Sequence, residues 1–360
     1  MDEVQALLKE LTEAGGIPGH EDEVRRLVQN HLRSIGELSH DKLGSVICEK
    51  RGEAPRPRIM LAAHMDEIGF VVSHITKEGF IRFAALGGWW DQVLLAQRVR
   101  IKTTQGDVVG TIGAKPPHLL SDEERRKLVE KNDMYIDIGA TSREEVEKAG
   151  VRIADPIVPV SEFTVLASGR TYLAKAFDDR GGCALAISAM KRIVNLNHPN
   201  TVFAVATVQE EVGLRGARTS VTLVDPDVAI ILEGTAASDM PGAGNDGHQV
   251  IRIGGGPVVT FYRGDMIPNQ GLRNLIMDVA TTKDIPVQIR ADGRVRGGTD
   301  GAAIHLHGSG VPTVVLSLPV RYVHSHGAIL HRDDFDAAVE LLTEVIRITD
   351  QNAVTAMTAW

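Results

Sequence analysis

Ile59-Met60-Leu61-Ala62-Ala63-His64-Met65-Asp66-Glu67 is an apolar run that ends abruptly in a histidine and two carboxylic acids. A short run without polar interruption is the pattern of a strand buried on both faces. The same texture returns in Thr201–Val208, Val228–Leu232 and Val314–Leu318, with Ser45–Cys48 and Val287–Arg290 as shorter strands. Helical periods lie between these runs. Val4, Leu7, Leu8 and Leu11 open the chain at helical spacing, and Gly15, Gly16, Pro18 and Gly19 break that helix. A second buried stripe follows at Val24, Leu27, Val28, Leu32 and Ile35. Asp179–Val194, Leu272–Thr282 and Asp333–Ile348 read as further helices, and Gly301–His307 as a short one. Such alternation predicts an α/β fold with a mostly parallel central sheet sandwiched by helices.

From Val71 to Phe163 the texture changes. Arg98–Thr103 and Asp107–Ile112 alternate and are separated by Gly106, as antiparallel hairpin strands do. Ser121 with Glu124, and Ser142 with Glu145, have the spacing of capping boxes, and Gly150 suits the C-terminal end of the second helix. We therefore expect a catalytic domain in two parts, 1–70 and 164–360, interrupted by a β-rich inserted domain at 71–163. Two domains also suit 360 residues, more than one core usually organises.

Bulk properties narrow the function. A net charge of -8 without a basic patch argues against nucleic-acid or anionic-membrane partners. No apolar run approaches the ~18 residues of a membrane span. The acidic, amphipathic start MDEVQALLKELTEAGG lacks the features of a signal peptide, and Cys48 and Cys183 sit alone in apolar contexts as buried thiols. A cytoplasmic location is the expectation.

The candidate chemistry lies where strands end, the place where open α/β sheets gather ligands. His64 follows Ile59–Ala63, Asp178 follows Leu173–Phe177, Glu210 and Glu211 follow Thr201–Val208, Glu233 follows Val228–Leu232, and His324 lies in the turn after Val314–Leu318. Singly, each has an ordinary reading: His64 as a hydrogen-bonded histidine, Asp178-Asp179 as a helix cap, Glu210-Glu211 as a solvated loop. Together they form a nitrogen and oxygen donor set suited to Zn²⁺, Co²⁺ or Mn²⁺. Adjacent acids in extended backbone point to different sides, so Glu211 can hold a cation while Glu210 acts as general base. Asp66 is placed to hydrogen-bond the other nitrogen of His64.

The chain resembles the tetrahedral (TET-type) co-catalytic metallo-aminopeptidases, a family that includes glutamyl and deblocking aminopeptidases and some chains labelled endoglucanase M. The resemblance is carried by Ala63-His64-Met65-Asp66-Glu67-Ile68-Gly69-Phe70, Ala176-Phe177-Asp178-Asp179-Arg180, and Gln209-Glu210-Glu211-Val212-Gly213 with Gly216-Ala217. Leu232-Glu233-Gly234-Thr235, Gly297-Gly298-Thr299-Asp300 and Arg321-Tyr322-Val323-His324-Ser325 complete it, in family order over nearly the whole chain. It implies two divalent metal ions per subunit, zinc or cobalt first and manganese next, with Asp178 shared between them. His64 and Glu233 would complete one site, and Glu211 and His324 the other. Glu210 would take the proton from a water held between the ions, and Asp66 would support His64.

The substrates implied are peptides with free N-termini. The resemblance also makes the insertion a barrel-like oligomerisation domain, and the protein a homo-oligomer, in the family a dodecamer built from dimers, with dimers as the alternative. Many relatives carry Asp where this chain has Glu233, and Pro where it has His326. His326 and His331 read more simply as surface histidines. Trp89-Trp90 reads as core, interface or channel wall. The rival readings are a glycoside hydrolase with paired carboxylates, disfavoured by an aromatic content of 4%, and a non-enzymatic metal-binding scaffold.

Overall fold

Helices α1 (Glu3–Glu13) and α2 (Asp22–Leu32) precede strands β1 (Glu37–His40), β2 (Val46–Arg51) and β3 (Arg58–His64). The computed structural model describes residues 1–243, 250–262, 264–291 and 298–359; Gly297 of the quoted block lies outside the described residues. Six strands follow: β4 (Gly69–Ile75), β5 (Ile81–Leu86), β6 (Arg98–Thr103), β7 (Gly106–Gly113), β8 (Tyr135–Asp137) and β9 (Pro156–Pro159), with α3 (Arg143–Lys148) before the last. The chain returns through β10 (Thr164–Val165), β11 (Thr171–Ala174), α4 (Phe177–Ile193), β12 (Thr201–Thr207), α5 (Arg215–Val224) and β13 (Val228–Ala236). It ends with β14 (Val258–Thr260), α6 (Gln270–Thr282), β15 (Gln288–Arg290), α7 (Asp300–Ile304), β16 (Thr313–Arg321), β17 (Ala328–His331), α8 (Arg332–Ile348) and α9 (Gln351–Thr358).

The uninterrupted apolar runs become β12, β3, β13 and β16, which lie side by side and parallel. Their side chains feed two cores. Ile59, Leu61 and Ala63 join one with α1, α4 and α8, while Met60 and Ala62 join the other with α5 and α7. Cover on both faces explains why these strands show no polar alternation. The expected mostly parallel sheet describes this centre; the flanks are antiparallel, β1–β2–β12 on one side and β16–β17–β11–β10 on the other. Short turns join β1 to β2 and β16 to β17, and only antiparallel neighbours can be joined that tightly. The largely exposed β1 gives no apolar signal.

β4–β9 close into a barrel in the order β4-β5-β8-β7-β6-β9, with Phe70, Ile101, Ile136 and Ile157 inside. Trp89 belongs to this core: its ring stacks 4.9 Å from Phe70 and Nε1 donates to the Gly69 carbonyl at 3.2 Å. Trp90 is 66% exposed. The Ser121–Glu124 box closes, but around a single 3-10 turn. Ser142 caps α3, whereas the Glu145 carboxylate reaches Thr141 instead of returning to Ser142. Gly150 has the expected left-handed backbone beyond the helix. No helix among the described residues is long and apolar enough to cross a membrane.

Gly216 fixes how α5 leaves the end of β12. A Cβ there would meet Val208 N at 2.5 Å, Val208 O at 2.6 Å and Ser45 Oγ at 2.7 Å, mostly main chain that cannot yield. Gly216→Ala should therefore cost about 1–3 kcal/mol of stability, read as a lowered denaturation midpoint at fixed protein concentration. An unchanged midpoint would mean that the helix start tolerates the added methyl.

Candidate active site

The C-terminal ends of the four parallel strands converge on one cluster. His64 is the last residue of β3, and Thr207 at the end of β12 is its register partner. Beyond Thr207, the Gln209–Glu211 loop is held by buried acids. Asp66 accepts from Glu210 N at 2.9 Å and Glu211 N at 3.1 Å, and Glu21 accepts from Gln209 N at 3.1 Å. Glu233 lies inside β13 rather than beyond it, since that strand runs four residues past Leu232 to Ala236. His324 occupies the turn after β16 with φ +59°.

Asp178 enters from the start of α4, where Asp178 and Asp179 are not helical and the peptide between them is cis. The strand before it stops at Ala174, earlier than the sequence pattern suggested. The two acids divide their roles. Asp179 turns inward, accepting from Gly182 N at 3.0 Å and His64 N at 3.1 Å. Asp178 faces the imidazoles: Oδ1 lies 3.2 Å from His64 Nε2, and Oδ2 lies 3.2 Å from His324 Nε2. Glu211 Oε1 is 3.0 Å from His324 Nε2, Glu233 Oε1 is 3.6 Å from His64 Nε2, and Glu210 Oε2 is 3.9 Å from the same atom.

Three groups of potential donor atoms result, each closed within 4.8 Å: His64 with Asp178 and Glu233, Asp178 with Glu211 and His324, and His64 with Glu210 and Glu211. All the residues expected from the sequence are therefore brought together. Asp66 departs from expectation in detail. His64 Nδ1 pairs with the Asp66 carbonyl oxygen at 2.9 Å, while the carboxylate, 3.6 Å away, is spent on the main chain of Glu210 and Glu211.

The electrostatics are those of a site built for cations. Burial pushes Glu233 up to about 7 and Glu210 well above the usual carboxylate range, where neighbouring carboxylates add to the effect. Burial alone would lower His324, but Asp178 and Glu211 hold it at about 11. Both imidazoles face a main-chain carbonyl through Nδ1, His64 that of Asp66 and His324 that of Gly88, each at 2.9 Å. A carbonyl only accepts, so Nδ1 carries a proton and Nε2 is the nitrogen turned to the carboxylates: protonated, it donates to them, and once deprotonated it offers a cation its lone pair. The carboxylates favour positive charge at that position, whether it is the Nε2 proton or a cation that replaces it. The donor set fits divalent cations.

Several residues around the site had no assigned role in the sequence. Thr299 donates to Glu233 Oε2 at 2.9 Å, and Asp300 pairs with Thr207 Oγ1. Both stood in a motif block, which was their only signal. Glu67 forms a buried ion pair with Lys175 at 2.6 Å beside the Arg180 guanidinium. Cys183, buried as expected, donates to the His64 carbonyl at 3.2 Å. His326 is not a surface residue: it is buried 5.3 Å from the Trp89 ring, in the seam between barrel and sheet, and burial pushes it down to about 4. His331 caps α8, its Nδ1 accepting from Asp333 N at 3.1 Å.

Known proteins share this fold. A TET aminopeptidase from the marine sediment archaeon Thaumarchaeota archaeon SCGC AB-539-E09 superposes with a TM-score of 0.96 at 46% identity, covering 99% of this chain and 100% of its own. The Pyrococcus horikoshii TET1 peptidase, which can assemble into a tetrahedron or a large octahedral shell, matches at TM-score 0.85 and 32% identity over 96% of this chain and 100% of its own. A putative aminopeptidase, FrvX, of Escherichia coli (strain K12) is 38% identical over 93% of each chain. Residues 44–341 fit the family model of the M42 glutamyl aminopeptidases, a span that contains every member of the cluster, and the chain belongs to that family of peptidases.

Proposed function

We propose that this aminopeptidase works with two divalent cations per subunit, zinc or cobalt first and manganese next, that share Asp178. The observation that carries the reading is that Asp178 offers one carboxylate oxygen to each imidazole, at 3.2 Å on both sides. His64 and Glu233 would complete one site, and Glu211 and His324 the other. Cations bound there would supply Lewis acidity, acidifying water and polarising the scissile carbonyl.

The chain's own residues do the rest. Glu210 is 9% exposed, and its main-chain N–H is pinned by Asp66. Its carboxylate is the general base that takes a proton from the attacking water and returns it to the leaving amine. Asp66 holds Glu210 and Glu211 at a fixed spacing, so the base and the cation site keep their relation. Surplus carboxylate charge around the cluster attracts a free α-ammonium group, which favours cleavage at N-termini. Residues 71–163 serve subunit association, and a closed homo-oligomeric shell such as a dodecamer, in the cytoplasm, is the natural assembly.

Chelation tests the reading. Dialysis against EDTA should abolish hydrolysis of aminoacyl-nitroanilides, and added Zn²⁺, Co²⁺ or Mn²⁺ should restore it. The stripped protein should also melt lower, because cations that bind only the folded state stabilise it. Chelator-resistant activity, or cleavage of cellulose derivatives in its place, would overturn the proposal.

A further inference from the structure

We infer that Thr299 is a positioning residue for one of the two cation sites: its hydroxyl holds Glu233 Oε2, which leaves Oε1 free to face His64 and the ion. The inference rests on the two-cation reading. Glu233 is buried, with Oε1 at 3.6 Å from His64 Nε2 and Oε2 at 2.9 Å from Thr299 Oγ1. Both carboxylate oxygens are thus committed, in different directions.

The hydroxyl's choice of partner is informative. Thr299 is the N-cap residue of α7, with extended backbone (φ −150°, ψ 157°). A threonine there ordinarily turns its oxygen onto the first free N–H groups of the helix. Thr299 makes no such side-chain cap. It donates outward to Glu233, although the short helix forgoes a stabilising bond. Its neighbour keeps it in place. Asp300 Oδ2 lies 2.5 Å from Thr207 Oγ1, which also reaches the Ala63 carbonyl at 3.2 Å, so the 299–300 segment is tied to the ends of β12 and β3. Thr299 itself is fully buried.

A glutamate here needs this restraint. It has one more rotatable bond than an aspartate, and holding its carboxylate costs correspondingly more rotamer freedom. A fixed hydroxyl on one oxygen removes that freedom before an ion arrives. The Glu233–Thr299 pair is therefore a unit that sets the affinity of the His64-side site.

Calorimetric titration of chelator-stripped protein with Zn²⁺ tests this directly. Wild type should take up two ions. Thr299→Val, which keeps the shape and loses the hydroxyl, should weaken one of them by about ten- to a hundredfold and leave the other unchanged. Thr299→Ser should bind like wild type. If the buried valine impairs folding, Thr299→Ala removes the same hydroxyl and should give the same split. Affinities unchanged in the Val and Ala variants, a loss shared equally by both ions, or a serine variant as weak as valine would each overturn the inference. Wild type that binds fewer than two ions would instead overturn the two-cation reading beneath it.

Discussion

Glu210→Gln should lower kcat by about 10²–10⁴-fold, the usual range for loss of a general acid–base group, while ion content and fold stay those of wild type. The separation of effects follows from the geometry. Glu211 is 3.0 Å and Asp178 3.2 Å from the His324 imidazole and Glu233 is 3.6 Å from that of His64, whereas Glu210 stands back at 3.9 Å from His64. Glutamine preserves the shape and the main-chain N–H that Asp66 holds, but its amide cannot accept a proton from water. Steady-state kinetics on an aminoacyl-nitroanilide, with metal analysis of the same sample, measures both quantities. A variant with ordinary kcat would remove Glu210 from the mechanism. One that loses its ions would make it a ligand.

Glu67→Ala should cost about 3–5 kcal/mol of stability, the range for breaking a buried ion pair by deleting one partner. Glu67 is 2% exposed and accepts from Lys175 Nζ through both oxygens, at 2.6 and 2.8 Å, with the Arg180 guanidinium 3.5 Å away. Removing it leaves two cations buried together. Arg180 retains carbonyl partners at Leu11, Gly16 and Met65, whereas Lys175 is left with the Ala14 carbonyl at 3.0 Å, so Lys175 bears most of the loss.

The pH dependence follows from Lys175. Burial lowers it from its ordinary 10.5 to about 8, against the pull of Glu67. Without Glu67 it falls further, and the folded variant sheds that proton at a lower pH than wild type does. Stability rises with pH wherever the unfolded chain binds more protons. The variant's deficit should therefore narrow as pH rises toward about 8. Parallel urea unfolding of both proteins at several pH values measures it, and a pH-independent deficit would assign the loss to packing.

Strand ends were the most readable part of the chain. Ile59–Ala63, Val228–Leu232 and Val314–Leu318 owe their continuous apolarity to cover on both faces, and that requirement is local enough to read. The acids and histidines just beyond them were visible for the same reason. Residues whose partners lie far away in the chain were not. Thr299 meets Glu233 across 66 positions, Lys175 meets Glu67 across 108, and Glu21 meets Gln209 across 188. No spacing rule encodes such pairs. His326 was misjudged because its burial is created by the barrel docking against the sheet, through Trp89, which no local pattern reports. α9 escaped because its buried stripe is only Val354 and Met357.

The convergence of separate strand ends has a further consequence. His64 comes early in the chain and His324 near its close, and their imidazoles meet only after β16 has docked beside β13. Contacts between such distant segments are the slowest to form. Until β16 is made and docked, the cluster lacks His324 and is incomplete. A peptidase completed by the turn that follows β16 gains its site late in folding, after the central strands have come together.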